Sequence, residues 1–148
     1  MSENRQLWVF LADPEDYGWA DLVRDGRTVW DGVTGAPAQK NLRRCRPGDA
    51  VLIYHTAPEK ALVGTARVAS EPRPDPADPE RVVVDVEPVA PLERPLPLGE
   101  LKADPLLSTM GFVRMPRVAV QPVTAEQWDR VLEKSGTSSG VAAGGGGR

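Results

Sequence analysis

An α+β protein, a small and mostly antiparallel β-barrel with flanking short helices, is what three features of this chain point to. Short apolar runs rich in Val, Leu and Ile recur along it, bounded by Pro, Gly and charged residues. Stretches with helical periodicity are few and brief. Two neighbouring apolar runs, AVLIYHT at 50–56 and KALVGTARVA at 60–69, are separated only by Ala57-Pro58-Glu59, a connection short enough for an antiparallel pair.

The first element is a strand over Leu7 to Leu11, broken at Asp13-Pro14 because the residue before proline is pushed toward extended geometry. A short helix starts at Asp16 or Tyr17, carries Trp19, Leu22 and Val23, and stops at Gly26. Thr28 to Trp30 reads as a brief strand, and Asp31 to Pro37 as a loop of turn residues. Ala38 to Cys45, AQKNLRRC, consists largely of helix formers and ends in the tight turn Arg46-Pro47-Gly48-Asp49. After the antiparallel pair, EPRPDPADPE at 71–80 is expected as a surface loop, and RVVVDVEPV at 81–89 as a strand with one more apolar face. Helical turns are expected around Leu98 to Leu101 and Pro105 to Met110, then a last strand in RVAVQPV at 117–123. Thr124, with Gln127 three residues later, forms a capping box that opens a final helix whose Trp128, Val131 and Leu132 share a face.

Composition narrows the function classes. The 148 residues suit one domain with its own core. No apolar run approaches the roughly 20 residues of a membrane-spanning helix, and MSENRQ lacks the sections of a secretory signal, so a cytoplasmic protein is expected. Cys45 is the only cysteine, which excludes an intrachain disulfide and a cysteine-rich zinc site, and its expected role is packing. The net charge of −3 offers no general attraction to nucleic acid, so such contact needs a local patch. Lys40, Arg43, Arg44 and Arg46 provide one, although charge alone reads first as a solvated helix face.

Catalysis lacks its parts. His55 is the sole imidazole and no Gly-x-Ser-x-Gly elbow or active-site cysteine motif accompanies it. A phosphate loop is absent, and one His with one Cys does not make a structural zinc site. No catalytic residue, metal or cofactor is therefore expected. Recognition fits better, because a flat base can be held between aromatic faces while polar groups read its edge. Trp30, Tyr54 and His55 are candidate walls or edge readers, whereas Trp8 and Trp128 lie on apolar faces and are expected in the core. Trp30 ends a strand directly before Asp-Gly and suits a pocket rim.

The motifs Trp30-Asp31-Gly32-Val33, the strand Gly48-Asp49 to Tyr54-His55, Val63-Gly64-x-Ala66, and Gln121-Pro122-Val123-Thr124 with Trp128 occur in an order that resembles the EVE domain family, from about Leu7 to Leu132. The resemblance implies a PUA-like β-barrel related to readers of methylated adenine, with an EVE domain at 4–134 and a disordered Gly/Ser-rich tail at 135–148. It implies a non-catalytic module that recognises a modified base of DNA or RNA in an aromatic pocket. The alternative is a pocket for a free nucleobase or nucleotide. By resemblance, Trp30, Tyr54, His55, Thr56, Asn41, Arg114 and Gln121 are base-binding candidates, to which Asp13 is added, and the local cluster of positive charge makes Lys40, Arg43 and Arg44 the phosphate-binding candidates beside the pocket. The chain departs from the family's usual pattern at Leu11-Ala12-Asp13-Pro14, at Thr34 to Gln39 and at Arg117 to Val120, where hydrogen-bonding groups are lost.

Overall fold

The computed structural model describes residues 5–137. A mixed seven-stranded sheet curls into a half-barrel from β1 (Leu7–Ala12), β2 (Thr28–Trp30), β3 (Ala50–His55), β4 (Ala61–Val68), β5 (Arg73–Asp75), β6 (Asp78–Pro97) and β7 (Val120–Pro122). Around it pack α1 (Trp19–Asp25), α2 (Ala36–Leu42), α3 (Leu98–Ala103), α4 (Gly111–Arg114) and α5 (Ala125–Ser135), with a 3-10 turn at Leu107–Thr109. The strand order is β2-β6-β4-β3-β1-β7, with β5 also on β6. Only β1 and β3 run parallel, Leu7 opposite Ala50 through to Ala12 opposite His55. The chain between them, which holds α1, β2 and α2, is the long crossover that a parallel pair requires.

Strand alternation divides the core into two layers. Trp8, Phe10, Val51 and Ile53 face α1 and α2, where they meet Leu22, Ala38, Leu42 and Trp30. Val9, Leu52, Tyr54 and Leu62 face the opposite side and meet Leu101, Phe112, Trp128, Val131 and Leu132 of the later helices. Trp8 and Trp128 are buried in the core as their apolar surroundings in the sequence imply.

The curl has a local cause. β4 pairs with β6 through register shifts at Leu62/Gly64 and Thr65/Ala66, and such bulges bend a strand and sharpen its twist. β6 runs on through Pro88, Pro91, Pro95 and Pro97, well beyond the expected strand at 81–89. These prolines are tolerated because they lie past the residues that pair with β2 and β5, where β4 is the only partner and a missing N–H leaves no second ladder broken.

Several boundaries differ from expectation, among them the start of α1, at Trp19 rather than at Asp16 or Tyr17. The stretch 71–80 is not all loop: Arg73–Asp75 pairs antiparallel with β6 around Pro76-Ala77, a surface hairpin. α2 begins earlier and ends earlier than Ala38 to Cys45, since Pro37 fits the first helical turn, where its missing N–H has no partner to lose. The last strand is only Val120–Pro122. Elsewhere the local signals hold: Gly26 stops α1, and at α5 the Gln127 N–H donates to Thr124 Oγ1 and the Thr124 N–H to Gln127 Oε1, each at 3.0 Å. Ser135 is the buried last residue of α5 and bonds Thr137, so the packed chain reaches into the expected tail. The remainder of that tail, from 138, lies outside the described residues. Among the described residues no helix is long and apolar enough to cross a membrane.

Candidate functional site

A cleft of about 780 Å³ opens on the α1 and α2 face of the sheet, where β1 and β2 end. β1 and the turn after it supply Leu11, Ala12, Asp13, Asp16 and Tyr17. β2 and its loop supply Thr28, Val29, Trp30, Asp31, Gly32 and Val33. Thr56 and the segment before β7, with Pro116, Arg117 and Ala119, close the other wall.

Trp30 corrects the expectation of a rim residue outside the core. It pairs with Val84 of β6 and joins the same buried layer, leaving it 8% exposed, yet it also lines the cleft. Directly opposed residues of an antiparallel pair share a face, which draws the indole inward. Its ring centroid lies 5.6 Å from Phe10 and 6.3 Å from Tyr17, the latter edge-on at 88°. The Tyr17 hydroxyl donates to Asp25 at 2.7 Å. Burial first, with Asp25 adding and a Thr28 hydrogen bond opposing, pushes that hydroxyl above its ordinary pKa, so it is a neutral donor at physiological pH.

The cleft's charges are Asp13, Asp16 and Asp31 against Arg117. Asp13 accepts one bond through Oδ1, from the Glu15 N–H at 2.9 Å, and its other carboxylate oxygen is available to a ligand. The lining thus combines an aromatic wall, acceptors for an amino group and one guanidinium. It suits the donor-bearing edge of a base better than a phosphate, which the carboxylates would repel.

The structure brings Trp30, Thr56 and Asp13 together in this cleft and places the other candidates elsewhere. Tyr54 faces the opposite layer, its ring 4.7 Å from that of Phe112. Adjacent strand residues point to opposite faces, so Tyr54 and His55 cannot wall one pocket together. His55 is buried as a latch: the Trp19 N–H donates to its Nε2 at 2.9 Å, leaving Nδ1 to donate to Glu59 Oε1 at 2.7 Å. Asn41 donates to the Val120 carbonyl at 2.8 Å and ties α2 to β7. Gln121 donates from Nε2 to the carbonyls of Met115 and Val118, at 2.9 and 2.8 Å, and clamps the segment that carries Arg117. Arg114 is exposed at the end of α4, three residues before Arg117.

Lys40, Arg43 and Arg44 stand toward the end of α2 away from the cleft, whose lining includes Val33 just before the helix. Arg43 donates to the Glu80 carbonyl, and the Arg44 guanidinium lies 5.7 Å over the Trp8 ring. Sequence reasoning missed Tyr17, Asp16, Asp31 and Arg117 as cleft residues. Asp31, inside the Trp30-Asp31-Gly32-Val33 motif, was the one with a visible signal; the others depend on how distant segments fold together.

No group of three or more His, Cys, Asp or Glu placed to hold a metal occurs among the described residues. Cys45 is buried, and burial above all pushes its thiol up to about 12, so it is not a nucleophile at neutral pH.

Known proteins resemble this chain in sequence and in architecture. Human thymocyte nuclear protein 1 is 30% identical over an alignment 162 positions long, covering 84% of this chain and 72% of the human protein. Rpa0253 from Rhodopseudomonas palustris has the same fold at a TM-score of 0.85 with 34% identity, covering 88% of this chain and 93% of that one. The human THYN1 protein, solved in complex with 5-methylcytosine containing DNA, superposes at a TM-score of 0.82 with 24% identity, covering 90% of this chain and 99% of that one. The EVE domain profile matches residues 6–134, the whole sheet and almost all of the last helix, and the chain belongs to the EVE domain family.

Proposed function

We propose that this protein is a non-catalytic reader of a modified base in DNA, with the base held in the cleft against Trp30. The observation that carries the reading is the lining itself, in which an aromatic wall and free carboxylate acceptors share one opening. A carboxylate accepts from the 4-amino group of cytosine, so Asp13 and Asp31 suit that edge. Leu11, Val33 and Ala119 offer apolar surface against which a 5-methyl group would lie. The complex of the human protein with 5-methylcytosine containing DNA supports the same ligand class. The sole imidazole is occupied by two hydrogen bonds and the sole thiol is buried, which favours binding over chemistry. Phosphates stay outside the acidic cleft, beside Arg114 and Arg117 and, further along the strand, Lys40, Arg43 and Arg44.

Fluorescence polarisation against short oligonucleotides tests this. Duplex DNA with a central 5-methylcytosine or 5-hydroxymethylcytosine should bind about tenfold or more tightly than unmodified DNA, with a steep salt dependence. Equal binding of modified and unmodified strands overturns the reading. The alternative, a site for a free nucleobase, is favoured by the cleft's acidity; it requires the free nucleoside to bind as tightly as the oligonucleotide, with almost no response to salt. An RNA strand of the same sequence decides between the two nucleic acids.

A further inference from the structure

We propose that Met115 is an intercalating wedge, which enters the base stack of duplex DNA and fills the place of the base drawn into the cleft; this rests on the base-reading function above. Met115 is the most exposed of the large hydrophobic residues in the described chain, at 55%. It is joined directly to Pro116, which lines the cleft together with Arg117. An apolar side chain is thus held in water at the cleft's edge.

The loop holding it is rigidly built. The Met115 N–H donates to the Gly111 carbonyl at 2.7 Å, and the Met115 carbonyl accepts from the Val118 N–H at 3.2 Å and from Gln121 Nε2 at 2.9 Å. Gln121 fits there because residue 111 is glycine: a Cβ at that position would run into Gln121 Oε1. Immobility of the backbone matters, since a loop already fixed loses little further entropy when its exposed side chain enters a stack.

Charge supplies the second requirement. Arg114 and Arg117 flank Met115 in the chain, and no carboxylate among the described residues lies within ion-pair distance of either. Two unpaired cations beside an apolar tip fit a phosphate backbone on each side of an opened base step. An unbranched thioether suits the gap, being flexible in shape and polarisable against the flanking bases. The other strongly exposed apolar residues lack this setting: Val23 lies on α1 and Val89 on β6 beside no cleft-lining residue, and Val29 lines the cleft but the nearest cation in its chain segment, Arg27, is paired with Asp85 and Glu87.

The experiment compares Met115→Ala, Met115→Leu and the control Val89→Ala on a short duplex with a central 5-methylcytosine and on the same strand unpaired, with 2-aminopurine next to the modified base. Wild-type protein should brighten 2-aminopurine in the duplex as the stack opens. Met115→Ala should bind the duplex about tenfold more weakly and lose most of the brightening, while the unpaired strand changes less than twofold. Met115→Leu should keep most of the duplex affinity, and Val89→Ala all of it. Equal loss on both strands, or no loss on the duplex, overturns the wedge and leaves base reading intact. If wild-type protein does not prefer the modified duplex, the base-reading function fails and the wedge with it.

Discussion

Asp49 is 3% exposed, yet it carries a carboxylate that accepts three N–H bonds. One oxygen takes the Gln6 amide at 3.0 Å, and the other takes Trp8 Nε1 and the Arg46 amide, both at 2.9 Å. The side chain thereby joins the start of β1 to the turn before β3. Asp49→Ala should lower stability by about 3 kcal/mol in denaturant melts, because it strands buried donors. Asp104 is also almost fully buried. Burial would raise its pKa, but the Leu107 amide, the Arg130 guanidinium and the Leu106 amide overcome that and hold it at about 2. A carboxyl depressed in the folded state contributes stability in full above the ordinary value of about 4, and loses it as pH falls through that value toward 2. Asp104→Asn should flatten the acid limb of a melting-temperature profile over that window; an unchanged limb would refute the assignment. Trp30 is buried in the core and lines the cleft, so on the proposed reading it serves both stability and ligand. Trp30→Ala should cost ~3 to 5 kcal/mol of stability along with binding. Asp13→Asn and Asp31→Asn, at exposed positions, should reduce base preference at an unchanged melting temperature.

Among the elements, α1 is held by contacts that local patterns do not reveal. His55 receives the Trp19 amide, and the Trp19 ring lies over Gly64 of β4, where a Cβ would come within 2.6 Å of the indole. Gly64→Ala should push that ring away and destabilise the fold by ~1 to 3 kcal/mol, which thermal melts would register. Thr124→Ala should cost about 1 kcal/mol by removing the α5 cap. The cap was legible in the sequence because its two partners lie three residues apart. β6 beyond Val89 was not, because its prolines argue against a strand until the absence of a second neighbour is known. The site divides in the same way. Trp30 and Thr56 stand next to recognisable motifs, whereas Tyr17 and Arg117 enter the cleft through contacts between distant segments. Tyr54 was misleading for the converse reason: neighbours in sequence are on opposite faces in a strand.

For the molecule as a whole, a net charge of −3 requires any nucleic-acid contact to be local. The candidate cations form two groups, Arg114 and Arg117 beside the cleft and Lys40, Arg43 and Arg44 toward the far end of α2, a helix roughly 10 Å long. Arg43→Ala with Arg44→Ala should weaken modified and unmodified strands alike and make the slope of log K against log salt shallower by about 2. An unchanged slope would confine the nucleic-acid path to the cleft side. Trp128→Ala is the matched control on the other core layer, expected to reduce stability while leaving base preference in the surviving folded protein intact.

The indole that walls the cleft is also a keystone of the core, and this limits how the domain can be redirected to other ligands. A library aimed at a new base should hold Trp30 fixed and diversify Asp13, Asp16, Asp31 and Arg117, whose side chains border the opening without supporting the sheet. On the proposed reading, selectivity in this scaffold is an attribute of its margins, and the centre tolerates little experiment.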